Sequence, residues 1–359
     1  MPQTSNSLKS ICILRLSSIG DITHMIPIVK TLQKHSPMTD ITWIIGKTEY
    51  SLVKNMKDIE FIVIDKKNII QGIQDLLRLR ERKFFDVLLH MQVSLRSNIL
   101  SLLVKANRKI GFDCYNSKNM HQLFITESIK EMPKSHVLNT FFCFLEALEI
   151  IKREYDRDIG IKKDFKKIVE FDKTLINKKY IVINPFTSER SFNYREWDII
   201  NYIPIIKYLY EQYNLVTIIT GSSNKNQLVM AERFCRDMVN VSPIYNFVGK
   251  TNLQELYNII SGCELYIGPD SGTLHIASIL SKPVIGLFAT SNPERTGPFQ
   301  NIEFIINKYP EALKKYNKKL VSDAKWGERI RNKKAMSLIK VDDVKKKNRY
   351  DIKTLEFYL

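Results

Sequence analysis

The chain is 359 residues long, 44% hydrophobic and 26% charged, the composition of a globular protein with real cores, and its length suggests two domains. No stretch is apolar for long enough to span a membrane, and the N-terminal stretch MPQTSNSLKS has no apolar signal core, so a cytoplasmic protein is expected. A net charge of +17 points to an anionic partner, whether nucleic acid, an anionic membrane surface or a phosphorylated substrate, the plain alternative being a solvated lysine-rich surface.

Lys9 to Leu16 (KSICILRL) reads as a buried strand. Ser17-Ser18-Ile19-Gly20-Asp21 reads as a turn, and Ile22, Met25, Ile26, Val29 and Leu32 recur at helical spacing to about His35. One glycine in that turn excludes the dinucleotide fingerprint, which needs three. As an N-cap, Asp21 would only stabilise the helix. At the carboxyl end of a first strand it also stands where α/β sheets place ligands, and a carboxylate there can act as a general base. Asp40 to Gly46 and Glu60 to Ile64 read as further strands. Gly46-Lys47-Thr48 and Gly249-Lys250-Thr251 lack the earlier glycine of a phosphate loop. A helix with a basic outer face runs from Gln71 to Arg82, and a strand from Phe84 to Leu89 ends in His90-Met91-Gln92-Val93-Ser94. A helix carrying Arg96 follows from about Ser94 to Lys105, then a short extended piece from Lys109 to Phe112 and an aromatic-faced helix from His136 to Ile151. Residues 152 to 178 are charged, with little sustained periodicity, and read as the connection between domains; Asp156-Arg157-Asp158 within them reads as an exposed charge run.

The pattern then restarts. Tyr180 to Pro185 is a strand leading into the polar loop Phe186-Thr187-Ser188-Glu189-Arg190-Ser191, and Trp197 to Tyr210 is a helix. Leu215 to Thr220 is a strand, Asn226 to Met238 a helix, Asn246 to Val248 a short strand, and Leu253, Leu256, Tyr257 and Ile260 mark a helix. Glu264 to Ile267 is a buried strand, and Gly268-Pro269-Asp270-Ser271-Gly272 turns the chain into a helix through Leu274, Ile276, Ala277 and Ile279. Unpaired N–H groups and the helix dipole make such a turn an anion site, flanked here by Asp270 and His275. The plain alternative is that Asp270 or Ser271 caps the helix and His275 is a packed core histidine. Pro283 to Phe288 is a last strand, ending in the ligand-type loop 289–298.

Strands alternating with helices give parallel sheets covered on both faces. The expected domains are residues 1–165 and 166–359, each a doubly wound, Rossmann-like α/β unit, the second carrying a basic C-terminal tail. Lys308 to Arg349 holds 15 Lys and Arg against 5 Asp and Glu, more than half of the whole excess. Thr187, Ser188 and Arg190 suit a diphosphate, with hydroxyl donors and a bidentate cation. No carboxylate cluster offers itself to Mg²⁺. The five cysteines are scattered without a CxxC pair, which points away from a disulfide framework or a zinc site.

Three blocks carry a family resemblance: Ile13 to His24, the loop from Asn184 to Trp197, and Gly268 to Ala277 followed by Lys282 to Phe288 and Asn292 to Pro298. With them the chain resembles glycosyltransferase family 9, the lipopolysaccharide heptosyltransferases, over nearly its whole length, and is most similar to the heptosyltransferase I subgroup. The resemblance implies a GT-B fold with a central cleft and inverting transfer without metal or cofactor. It implies an ADP-heptose donor on the C-terminal domain and a Kdo-lipid A acceptor on the N-terminal one. Asp21 matches the family's general base. Asp270, Ser271, Gly272 and His275 match the donor site, with Thr187, Ser188 and Arg190 near the diphosphate. Ser18, Gly20, His24, Lys47, Gln92 and Arg96 fall on the acceptor side. The basic excess, including Lys66, Lys67 and the tail, would dock lipid A phosphates and the anionic inner leaflet. Three departures stand out. Arg190 occupies the place nearest the family's loop lysine, Phe192-Asn193 replaces a Trp-Pro pair, and Ser222-Ser223-Asn224-Lys225 lacks the usual acidic residue. A GT-B sugar-nucleotide epimerase is the rival enzyme. A basic nucleic-acid-binding module is the rival from another class, but it explains none of the strand-end loops.

Overall fold

In the computed structural model, residues 8–162, 172–189, 191–300 and 302–347 are described. The chain divides into two compact units, Met1–Ile161 and Lys162–Leu359.

The first unit runs β1 (Ser10–Leu14), α1 (Ile19–His35), β2 (Asp40–Gly46), α2 (Lys47–Val53), β3 (Glu60–Ile64), α3 (Ile69–Arg82), β4 (Phe85–His90), α4 (Leu95–Ser101), β5 (Ala106–Gly111), β6 (Glu127–Ser128) and α5 (Val137–Glu146). Its six strands lie in the order β3-β2-β1-β4-β5-β6, and the pairings are parallel. Successive side chains of a strand point to opposite faces. Cys12 and Leu14 of β1 therefore join Leu76 and Leu79 of α3 and Leu100 of α4 in one core. Ile11 and Ile13 point the other way and are equally buried. Burial on both faces is why KSICILRL reads as a continuous apolar run rather than an alternating one.

The second unit runs β7 (Tyr180–Ile183), α6 (Ile203–Tyr213), β8 (Val216–Ile219), α7 (Lys225–Met238), β9 (Ile244–Asn246), α8 (Leu253–Ser261), β10 (Leu265–Pro269), α9 (Gly272–Ile279), β11 (Val284–Phe288), α10 (Pro293–Thr296), β12 (Ile306–Asn307) and α11 (Tyr309–Ala312). Its order is β12-β11-β10-β7-β8-β9, also with parallel pairings. Read from its own first strand, this repeats the topology of the first unit. Each sheet reverses direction beside its first strand, between β1 and β4 in one and between β7 and β10 in the other. Open α/β sheets bind ligands outside the carboxyl ends of the strands at such switch points.

Several elements differ from the expectation. The turn after β2 opens a short helix, α2, entered from Gly46. The helix placed from Trp197 begins as a 3₁₀ turn, Ile199–Tyr202, and becomes α-helical at Ile203, with proline in its first turn. β9 sits two residues earlier than Asn246–Val248, in register with Thr217 to Ile219. The basic stretch after Lys308 is not a solvated tail over its described part. Ala312, Leu313, Ala324, Ile330, Met336, Ile339 and Val344 are buried in the second core, and Trp197 Nε1 donates to Ile339 O at 3.2 Å. Its lysines are the outward positions of a folded segment. All five cysteines are free.

Candidate functional site

In the first unit the chain leaves β1 through Arg15, Leu16, Ser17 and Ser18 and enters α1 at Ile19. Asp21 is the third helical residue rather than the N-cap. Its Oδ2 accepts from Ser18 N at 3.1 Å and Ser18 Oγ at 2.9 Å, and pairs with Arg15 Nη2 at 2.7 Å. Burial pushes the Asp21 carboxyl up, but the Arg15 charge and the Ser18 bonds together outweigh it and hold the group below the usual carboxylate range. Its side chain is still 26% exposed, against 10% for Arg15, so it is ionised near neutral pH and reachable. Every one of these contacts falls on Oδ2; among the described residues Oδ1 has no hydrogen-bond partner.

The Arg15 guanidinium is fixed in turn. Nη1 donates to Met91 O at the end of β4, and the group lies 5.1 Å from the centre of the Phe141 ring. Gln92 completes the frame. Its Oε1 accepts from Leu16 N at 2.6 Å and Ser17 N at 3.1 Å, and its Nε2 donates to Ser17 Oγ at 3.3 Å. The amide expected to meet an acceptor therefore holds the Asp21 loop. Gly46 lets β2 close against the same loop, because a Cβ there would lie 2.4 Å from Leu16 O. Gln92→Leu leaves two loop N–H groups without their acceptor and is expected to cost about 1–3 kcal/mol. Gln92→Glu keeps the acceptor and should recover most of that loss; urea unfolding of both variants checks it.

The other acceptor-side candidates are placed variously. Ser18 and Gly20 lie in the Asp21 turn itself. His24 is buried, its ring edge-on to His136 at 5.2 Å. Lys47 is exposed and paired with Asp65 at 2.8 Å, worth under about 1 kcal/mol in such a setting. Arg96 is exposed on the first turn of α4, just after Gln92. Behind Gln92 sits a cluster that sequence reading did not find. Asn98 Oδ1 meets His90 Nε2 and His121 Nδ1, each at 3.1 Å, and all three residues are buried.

In the second unit the corresponding loops leave β7 and β10. Gly268 allows them to approach, since a Cβ there would lie 2.8 Å from Asn184 O. Ser271 is the N-cap of α9, but no side-chain capping bond is made, and its Oγ instead meets Thr273 Oγ1 at 2.9 Å. Asp270 does not cap the helix either. Its Oδ2 accepts from Ser291 Oγ at 2.7 Å and pairs with Arg195 Nη1 at 3.4 Å, while Oδ1 lies 3.9 Å from His275 Nε2. Burial alone would push the Asp270 carboxyl up. The His275 contact, the Arg195 charge and Ser291 overcome that and hold it well below the usual range. No side chain of Ser271 or Asp270 therefore caps the N–H groups of Gly272 and Thr273 at the start of α9.

Thr187 N and Oγ1 both donate to Glu196 Oε1, at 2.7 and 3.1 Å. Asn193 Nδ2 donates to Thr187 Oγ1 at 2.9 Å and Ser188 O at 2.7 Å, and Gln227 Nε2 donates to Thr187 O at 3.1 Å. Thr187 is buried within this frame and Ser188 is exposed on its rim. Arg190 lies outside the described residues. Sequence reading missed Arg15, Asn193, Arg195, Glu196 and Ser291. The available signal was a charged residue closing an apolar strand at Arg15, and a charged pair next to a buried tryptophan at Arg195-Glu196.

Comparison with known proteins agrees with this architecture. The model of glycosyltransferase family 9 (heptosyltransferase) matches residues 76–324. The chain is 35% identical over 346 residues to the lipopolysaccharide core heptosyltransferase OpsX of Haemophilus influenzae, covering 96% of this chain and 97% of that one. Its fold is similar to a family 9 glycosyltransferase from Veillonella parvula, with a TM-score of 0.77 and 21% identity over 97% of this chain and 98% of that one. It is also similar to E. coli heptosyltransferase WaaC with ADP, with a TM-score of 0.67 and 15% identity over 95% and 99%. The two doubly wound units are those of a GT-B protein, and the chain belongs to glycosyltransferase family 9, the heptosyltransferases.

Proposed function

We propose that this enzyme transfers heptose from ADP-heptose to a Kdo residue of the lipopolysaccharide inner core. The acceptor binds at the β1–β4 switch point and the donor at the β7–β10 switch point. The work of OpsX on the lipopolysaccharide core and the ADP of the WaaC structure support the substrate classes. The single observation that carries the chemistry is Asp21, an ionised and partly exposed carboxylate with Oδ1 unshared at the carboxyl end of β1.

Asp21 Oδ1 removes the proton from the acceptor hydroxyl as its oxygen attacks the anomeric carbon. The bond from that carbon to the diphosphate oxygen breaks, ADP leaves from the opposite face, and the configuration inverts. Arg15 holds Asp21 ionised and aimed. The N–H groups of Gly272 and Thr273 receive the charge that develops on the diphosphate, so the step is read as needing no metal. The exposed lysines of residues 308–347 fit an anionic membrane surface that presents the acceptor from the cytoplasmic side. Among the described residues no helix is long and apolar enough to cross a membrane.

The test is to incubate the protein with ADP-heptose and Kdo-lipid A in EDTA and measure the acceptor's mass. A gain of one heptose is expected. Conversion of the donor without an acceptor would favour the epimerase reading, and no product from ADP-heptose but product from a UDP- or GDP-sugar would overturn the donor.

A further inference from the structure

We propose that Arg195 is a cation that binds the donor's diphosphate and stabilises it as it leaves, an inference that rests on reading the second unit as the donor domain. A departing diphosphate gains negative charge. A helix N-terminus offers only about half an elementary charge, so a full cation placed beside it would be the stronger term.

Arg195 stands where the two switch-point loops are tied together. Its Nη1 pairs with Asp270, the residue before the N-cap of α9, and its Nε donates to Asn193 Oδ1 at 2.7 Å. The amide nitrogen of Asn193 in turn holds Thr187 and Ser188. The guanidinium is therefore linked to each loop that flanks the uncapped helix end.

The guanidinium is also oriented without being saturated. It meets Asp270 through one long contact of 3.4 Å rather than a bidentate fork, and Ser291 donates to the same carboxylate oxygen at 2.7 Å. Among the described residues Nη2 has no partner. The side chain is only 13% exposed and its partner Asp270 only 8%. A nearly buried pair with a donor group left over is a weak device for stability, but it pre-positions a cation for a bidentate anion.

The experiment compares the affinities of ADP and adenosine for the full-length protein by calorimetry, in wild type, Arg195→Gln and Arg195→Lys. Glutamine's Nε2 stands where the Arg195 Nε does and can keep the bond to Asn193 without the charge, though it stops short of Asp270, and lysine keeps a charge beside Asp270 without the fork. Wild type should prefer ADP. Arg195→Gln should weaken ADP about 10- to 100-fold and leave adenosine unchanged, with Arg195→Lys in between. Retention of the full ADP preference in Arg195→Gln overturns the role of Arg195 alone, as does an equal loss of adenosine and ADP in both variants. A wild type that binds ADP no tighter than adenosine sinks the donor-domain reading and this proposal with it.

Discussion

Asp21→Asn is expected to lower kcat by about 10²- to 10⁴-fold and to leave ADP affinity and the unfolding midpoint close to wild type. Asparagine has the same shape, and its carbonyl can still accept from Ser18 N and from Arg15, so the loop after β1 should keep its frame. What it loses is the ability to take a proton. Asp21→Ala would remove both and cannot separate them, which makes asparagine the sharper substitution. Steady-state transfer from ADP-heptose is the measurement, and a normal kcat in Asp21→Asn would remove Asp21 from the chemistry. The pH profile gives a second check. Arg15 and Ser18 hold the Asp21 carboxyl below the usual range, so the acid limb of kcat/KM should fall below the range of ordinary carboxylates. In Arg15→Met the charge that lowers the group is gone, and only the Ser18 bonds are left to oppose burial, which raises it. The acid limb should then move to higher pH, while an unmoved limb would mean that some other group governs it.

The alternation of strands and helices was legible because both faces of each sheet are covered. Runs such as KSICILRL and YIVINP are continuous apolar stretches only when both faces are buried. β5 was harder, because its residues ANRKIG include Arg108, which is held outward by Glu127 at 2.8 Å, and that leaves little apolar signal. The turns at Gly20-Asp21 and Gly268–Gly272 were legible as strand-to-helix corners, and the structure puts both at switch points. The frames around them were not, because Arg15 with Met91, and Arg195 with Asp270, join residues about 75 positions apart. Periodicity has no signal for such pairs. Gln92 shows the same limit. Its position after a strand end suggested a ligand contact, whereas the amide is engaged by the backbone of Leu16 and Ser17, a partner that only the β1–β4 neighbourhood supplies. The charge of residues 308–347 suggested a tail because lysines dominate the count, while the buried residues between them are what fix the segment to the second core.

Acidification from pH 6.5 to 4.5 is expected to destabilise the protein steeply, with His90 and His121 responsible. Burial lowers His90 to about 3, helped by the neighbouring His121 and Lys109 and opposed by its bond to Asn98. Burial likewise lowers His121 to about 4. Their hydrogen bonds suit neutral rings. His121 Nε2 accepts from Phe112 N at 3.2 Å, so its proton lies on Nδ1, facing Asn98 Oδ1. That oxygen also takes the Nε2 proton of His90, while the Asn98 amide nitrogen is fixed on Asn119 O at 2.9 Å. Among the described residues His90 Nδ1 is then a buried nitrogen with no hydrogen-bond partner, and a proton placed on it would be a buried charge that no hydrogen bond there stabilises. Both folded pKa values lie below the ordinary 6.5. The unfolded chain therefore binds the extra protons first, and the stability these rings contribute is complete above about pH 6.5 and is lost as the pH falls toward the folded values. Each histidine should contribute a slope of about 1.4 kcal/mol per pH unit. Depressed glutamates such as Glu60 and Glu127 add to the loss as the pH nears their ordinary value of 4.5, so the part of the slope between pH 6.5 and 5.5 is the part to assign to the rings. Urea unfolding at pH 7.5, 6.5, 5.5 and 4.5 reads the slope, and His121→Gln should roughly halve it. An unchanged slope in that variant would clear the cluster of responsibility.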